Sequence, residues 1–279
     1  MVDKIAVTSG REVVAVIEEA TTAQRCLTVA LRAAQRVNSL SLSALHICVD
    51  PAKLVAAVEE ISLQSMREIE EGSDKDRLGR ARAAFQRWAT LSGAQVRWVE
   101  HVGGITSSLI CEVKDAALIV IAQPHNLDSA DALHAAIFNS HRLVLYVPSE
   151  YRLPPSLGEH MVIAWKPRRQ ARKAVIHAIP WLKAAKRVTI VIVSEAGGVR
   201  DCDEVLHLLD EHGISADIRG VSARKDEYIG ARLLSEAEAV NADSLVMGAF
   251  RFGQIYEWLF GGVTYEVLNR TRLPVFMMH

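Results

Sequence analysis

The chain has 279 residues, 50% of them hydrophobic and 23% charged, with a formal net charge of −1. That length exceeds one typical domain and suits two, while the near-neutral charge argues against a nucleic-acid or anionic-membrane surface. No apolar run approaches the roughly 18 residues of a membrane span, and the start lacks a basic segment followed by an apolar core, so a cytoplasmic location is expected. The four cysteines, Cys26, Cys48, Cys111 and Cys202, form no C-x-x-C pair and read as buried, reduced thiols. The ten histidines are scattered, and no metal site is expected.

In chain order, Val13–Ile17 reads as a strand, followed by a helix over Thr22–Val37. Strand Ser43–Val49 leads to helical material from Pro51 to Ser92, one long helix or two, with Gly72-Ser73 as a break point. Strand Ala94–Val99 leads to helix Ile105–Lys114, strand Ala117–Ala122 to helix Ala130–Phe138, and Arg142–Val147 is the next strand. Residues 148–158, with Pro154-Pro155, read as a linker.

The second half repeats this order. Met161–Trp165 is a short apolar run suited to a strand buried on both faces. Arg169–Ala185 carries Ala171, Ala174, Val175, Ala178, Ile179 and Leu182 at helical spacing. Arg187–Val193 is β-branched and reads as a strand. A helix over Asp201–His212 is closed by Gly213. Ile214–Val221 alternates like a strand near a sheet edge, Asp226–Asn241 is helical, Leu245–Gly248 is a strand, Val263–Asn269 a helix and Leu273–Met278 a final strand. The pattern predicts an α/β fold of two tandem Rossmann-like doubly wound domains, residues 1–150 and 159–279, each with a five-stranded, mainly parallel sheet.

Near the end, an apolar run closes on Gly248, and after a loop Gly261-Gly262 opens the segment from Val263. This strand–loop–helix order is that of an anion site, where glycine admits backbone N–H groups to a phosphate at a helix N-terminus. With these residues the chain resembles a tandem universal stress protein. That family has five-stranded α/β domains and a nucleotide loop of the form G-x-x-G-x9-G-[S/T]. Gly248 matches the first glycine and Gly261 the third, whereas Arg251 stands at the second and Gly262 at the Ser/Thr position. Ala122-Gln-Pro-His-Asn and Ala135-Ala-Ile-Phe look like the degraded first repeat of two-domain members.

The resemblance implies ATP or another adenine nucleotide held at the carboxyl ends of the strands of the second half. Ala164, Trp165 and Lys166 would flank base and ribose, and Val193 would meet adenine through backbone groups. Gly248, Gly261 and Gly262 would approach the phosphates, with Thr264 offering a hydroxyl. Lys166, Arg168 and Arg251 would add positive charge. The family's Asp or Asn after the first strand is replaced here by Lys166-Pro167. Family members also pair through their last strands, so Arg142–Val147 and Leu273–Met278 are expected to be covered at a shared, pseudo-twofold interface, with room for homodimerisation. One continuous sheet would count against the duplicated layout, as would residues 248 and 261 lying apart and away from a cleft.

In the first half, Glu18-Glu19 at the end of a strand would repel phosphate, and no glycine occurs from Gln123 to Asn139, so no nucleotide is expected there. His101 before Gly103-Gly104 reads as a turn residue, and Lys166–Lys173 as a solvated first helical turn. The aromatic set Phe250, Phe252, Tyr256, Trp258 and Phe260 reads as a lid or interface. The expected function is that of a non-catalytic, ligand-responsive binding protein whose partner is a nucleotide or small anion, since no base, nucleophile or paired carboxylates accompany the glycine loop. The alternative is an interaction or scaffold module in which Arg251 occupies the phosphate site.

Overall fold

A computed structural model of the chain describes residues 10–37, 40–49, 68–123, 127–150, 157–194, 201–223, 227–250 and 262–279. The first half runs β1 (Glu12–Val16), α1 (Ala20–Val37), β2 (Ser41–Cys48), α2 (Asp74–Ser92), β3 (Arg97–Val102), α3 (Ile105–Val113), β4 (Ala116–Ala122), α4 (Leu127–Phe138) and β5 (Val144–Val147). The second half runs β6 (His160–Ala164), α5 (Arg169–Ala184), β7 (Arg187–Ser194), α6 (Asp203–Asp210), β8 (Asp217–Ser222), α7 (Ile229–Ala239), β9 (Ser244–Gly248), α8 (Val263–Arg270) and β10 (Val275–Met278).

The strands form one ten-stranded sheet in the order β3-β2-β1-β4-β5-β10-β9-β6-β7-β8. Within each half the order is third, second, first, fourth, fifth, and every pairing is parallel. The halves meet where β5 pairs antiparallel with β10. This continuity corrects the expectation of two separate sheets: the last strand of each half uses the other's edge as its partner, which removes two apolar edges at once. The duplication itself is carried by the repeated strand order. The register also closes on itself when the halves are exchanged. Val275 pairs Tyr146, Met277 pairs Val144, and the two middle residues, Phe276 and Leu145, face each other, as a local twofold axis through that pair requires.

Helices cover both faces. Leu27, Phe85 and Trp88, Ala178 and Leu209 bring α1, α2, α5 and α6 into one apolar cluster. Leu109, Ala135, Leu233 and Val267 bring α3, α4, α7 and α8 into the other. The central strands are buried on both sides, while the outer strands β3 and β8 are largely part-exposed and carry Arg97, Glu100, Asp217 and Arg219, charges suited to unpaired edges. Besides the β5–β10 ladder and an exposed Arg272–Glu150 bond, side-chain hydrogen bonds cross between the halves on each face. The Trp181 indole N–H donates to the Ala33 carbonyl at 2.9 Å, and the Tyr146 hydroxyl donates to the Leu268 carbonyl at 3.1 Å.

The break at Gly72-Ser73 is present: Gly72 has φ +82, and Ser73 and Asp76 form a reciprocal capping box at the start of α2. The part of that segment before residue 68 lies outside the described residues. Gly213 (φ +67) ends α6 in a Schellman arrangement, with Ile214 N–H donating to Leu209 O and Gly213 N–H to Asp210 O. β3 begins three residues later than its apolar content predicts, because an edge strand takes its limits from its neighbour: Arg97–Val102 pairs Ser43–Cys48. β8 is likewise displaced toward its partner β7. Cysteine burial is corrected in part. Cys26 and Cys202 are buried, Cys48 is half-buried and Cys111 is exposed. Burial pushes the Cys26 thiol up to about 12, so it is inert packing.

Candidate functional site

In the second half the chain leaves β6 toward one face of the sheet and β9 toward the other, making a crevice at their carboxyl ends of the kind where α/β sheets hold ligands. A cleft of about 290 Å³ lies there. Seven of the expected residues line it: Ala164, Trp165, Lys166, Arg168, Val193, Gly248 and Thr264. Gly262 is the N-cap of α8, extended at φ −154 and without a side-chain cap. Arg251 and Gly261 lie outside the described residues, as do Phe252, Tyr256, Trp258 and Phe260.

Each lining element has a reason to be where it is. Trp165 continues β6, its N–H donating to Val191 O at 3.0 Å. Its buried indole N–H donates to Asp201 O at 2.8 Å, which fixes the ring as a wall. Because Val191 uses its backbone toward β6, the alternation of the strand turns Val193's N–H and C=O to that same side, beyond the last residue of β6. Those groups face the crevice, as a base-contacting backbone position requires. Gly248 lies where β9 meets the first turn of α5: a Cβ there would come within 2.5 Å of Ala171 N and 2.8 Å of the Gln170 carbonyl carbon. Its glycine therefore serves helix–strand packing. Thr264, at the second position of α8, is buried, and its Oγ1 accepts the Phe250 N–H at 3.0 Å, leaving the hydroxyl proton to be donated elsewhere.

Among the described residues the lining holds no acidic side chain, and Lys166 and Arg168 bring positive charge to it. Lys166, Arg168 and Arg169 are exposed, as expected of a solvated helical start. Deeper along α5, Lys173 is shifted down by burial and by the Arg169 charge, and its Nζ donates to His279 O at 3.1 Å. The first turn of α5 has no acid and its N-cap, Arg168, gives no side-chain cap, so the positive end of that helix is unopposed. Apart from Gln170, the remaining walls are apolar, with Val191, Ile229, Leu233, Met247 and Val263 among the larger side chains. Ile229 and Leu233 read in the sequence only as the core face of a helix, and nothing local marked them as ligand-facing.

The corresponding strand ends of the first half carry carboxylates, with Arg77 beside them. Two residues past β6 stands Lys166, and two past β1 stands Glu18, which is 6% exposed. Cys48, at the end of β2, is shifted up by burial and then by the carboxylates of Asp74, Glu100 and Glu18. Glu100 is held by the Trp98 indole N–H at 2.6 Å and by Arg82. His101 lies within β3, paired with Ile47, rather than in the turn expected of it, and its Nδ1 is 2.9 Å from Glu112 Oε1. Among the described residues no group of three or more His, Cys, Asp or Glu is placed to hold a metal ion, and no helix is long and apolar enough to cross a membrane.

These features define a tandem α/β chain with a cationic cleft at the strand ends of its second half. No protein-family model matches the sequence, and no curated protein does. Solved structures do match the fold. A universal stress protein from Archaeoglobus fulgidus DSM 4304 superposes with a TM-score of 0.63 at 16% identity, covering 97% of this chain and 97% of that one. A candidate universal stress protein from Pseudomonas aeruginosa UCBPP-PA14 gives a TM-score of 0.55 at 16% identity, over 98% of this chain and 94% of that one. A functionally unknown protein from Pseudomonas aeruginosa PAO1 gives 0.51 at 14% identity, also over 98% and 94%. The fold is the universal-stress-protein fold, and 279 residues fit two copies of it in one chain.

Proposed function

We propose that the chain is a tandem universal stress protein that acts as a non-catalytic, ligand-responsive binding protein, with domains over residues 1–150 and 159–279. Its second domain takes an adenine nucleotide. The observation that supports this reading is the cleft between the ends of β6 and β9, apolar in its walls and free of carboxylates among the described lining residues. A flat base fits between Trp165, Val191 and Leu233, with Val193's backbone groups at its edge. The anionic end lies toward Lys166, Arg168 and the start of α8, where Gly262 caps the helix and the Thr264 hydroxyl donates; the same reading assigns phosphate contact to Gly261 and Arg251. Occupancy biases the conformation seen by a protein partner, which is how a binding protein signals without turnover.

The test is titration calorimetry with ATP, ADP and AMP, together with mass spectrometry of nucleotides released on denaturation. Binding heat is expected, with a rise in melting temperature worth about 2.7 kcal/mol at a hundredfold excess over Kd. Neither heat nor thermal shift at millimolar nucleotide would overturn the reading in favour of an interaction module whose Arg251 fills the phosphate position. Arg251→Gly separates the roles of that residue: affinity falls if the guanidinium grips phosphate and rises if it blocks the site. An unchanged affinity would remove Arg251 from the site.

A further inference from the structure

Phe250 closes the cleft on the side of β9 and is one of its lining residues. Its backbone is left-handed at φ +46, a conformation that costs a bulky residue free energy and persists only when its surroundings impose it. One constraint is local, the N–H donated to Thr264 Oγ1. The other comes from the first half of the chain. The Phe250 ring packs on Phe138, at the end of α4, with centroids 5.0 Å apart and an interplanar angle of 33°. Phe138 is held in turn by His134 on its own helix, at 4.7 Å, and by His279 past the end of β10, at 5.0 Å. His279 Nδ1 is 3.0 Å from Ala249 O, the residue before Phe250, so the contact returns to the same stretch of backbone.

We infer that Phe138 is a positioning residue for the cleft of the other half: it holds the strained Phe250 wall in place, and the first half thereby sets the ligand affinity of the second. Phe138 is not among the residues lining the cleft and acts through Phe250 and, by way of His279, the adjoining backbone at Ala249. The affinity part rests on the nucleotide reading above; the positioning part does not.

The test uses the full chain with Phe138→Leu, which keeps apolar volume but removes the ring, and Phe138→Tyr, which restores it. Without ligand, the Phe250 amide is expected to exchange about three- to tenfold faster in the leucine variant, the range an aromatic pair supports, and at the native rate in the tyrosine variant. The Val205 amide in α6 serves as the global reference and is expected to be unchanged. Native exchange at Phe250 in Phe138→Leu, equal acceleration at Val205, or no recovery with tyrosine would each overturn the inference. With ATP as the probe, Kd is expected to change about three- to tenfold in Phe138→Leu and to recover in Phe138→Tyr. Equal Kd values in all three proteins would also overturn it. If the native chain binds none of ATP, ADP and AMP, the proposed function fails, and the exchange measurement alone decides the positioning role.

Discussion

Gly248 invites a direct test, because sequence and structure give it different reasons to be glycine. In Gly248→Ala the new methyl would lie 2.5 Å from Ala171 N, 2.8 Å from the Gln170 carbonyl carbon and 2.9 Å from Gln170 Cβ. Two of these atoms belong to the backbone of α5 and cannot swing aside as a side-chain tip can. Gly248 does not have a positive φ, so the penalty is steric rather than torsional. Relief requires α5 to lift from β9, or β9 to bend, in a region where Val246 and Ala174 are fully buried. Overpacking of this kind costs about 1–3 kcal/mol, and rigid neighbours place it in the upper half, about 2–3 kcal/mol. At about 2–4 °C per kcal/mol for a chain of this size, the melting temperature should fall by about 5–10 °C. Urea denaturation followed by far-ultraviolet circular dichroism measures the change, with a constant m-value confirming that stability alone has moved. A loss below about 0.5 kcal/mol would refute the steric account and leave ligand approach as the reason for the glycine.

Gly79→Ala should move the other way: nothing lies within 4 Å of the added Cβ inside α2, so a gain of about 0.5–1 kcal/mol in the same denaturation assay is expected. Trp181→Phe keeps most of the packing on Phe276 but loses the buried bond to Ala33 O; a loss of about 1–2 kcal/mol is expected in the urea midpoint. Asp243→Ala removes the carboxylate that accepts the Gly158 and Glu159 N–H groups and the Ser244 hydroxyl; a loss of about 2–3 kcal/mol is expected by the same measurement. Stability should also fall with acidification below about pH 6.5. His134, His160 and His177 are all shifted down, chiefly by burial, with Arg142 and Lys173 adding to the effect at His177. The unfolded chain therefore binds more protons than the folded one between the lowered pKa values and 6.5. Stability is full above that window and is lost as pH falls through it. Urea midpoints at pH 7.5, 6.5 and 5.5 test this, and His177→Gln should flatten the slope.

The fold was legible where periodicity is strong. The α1 stripe of Ala23, Leu27, Ala30 and Ala34, and the unbroken apolar runs of β4 and β9, announce a helix and buried strands. The outer strands were read less well, since β3 and β8 are bounded by what pairs with them rather than by their own apolarity. The fusion into one sheet was only half legible: two apolar last strands called for cover and the resemblance for a shared interface, but no local signal marked the antiparallel ladder that joins them. At the site, Trp165, Val193 and Thr264 were expected through the resemblance to tandem universal stress proteins, and all of them line the cleft. The double use of Gly248 was not visible, because α5 approaches it from a distant part of the sequence. The same is true of Phe138, which reads as an ordinary last-turn aromatic until the sheet brings α4 beside Phe250.

The antiparallel seam between β5 and β10 has a consequence for how the molecule can be taken apart. The bonds holding the halves together, from that ladder to the Trp181 and Tyr146 contacts, are non-covalent, and the paired residues, Val144–Tyr146 with Val275–Met277, all lie outside residues 148–158. A chain nicked between residues 148 and 158 should therefore remain a single particle under native conditions. Two separately synthesised fragments should find one another and dock, each supplying the missing neighbour strand of the other, which makes the protein a natural candidate for fragment complementation.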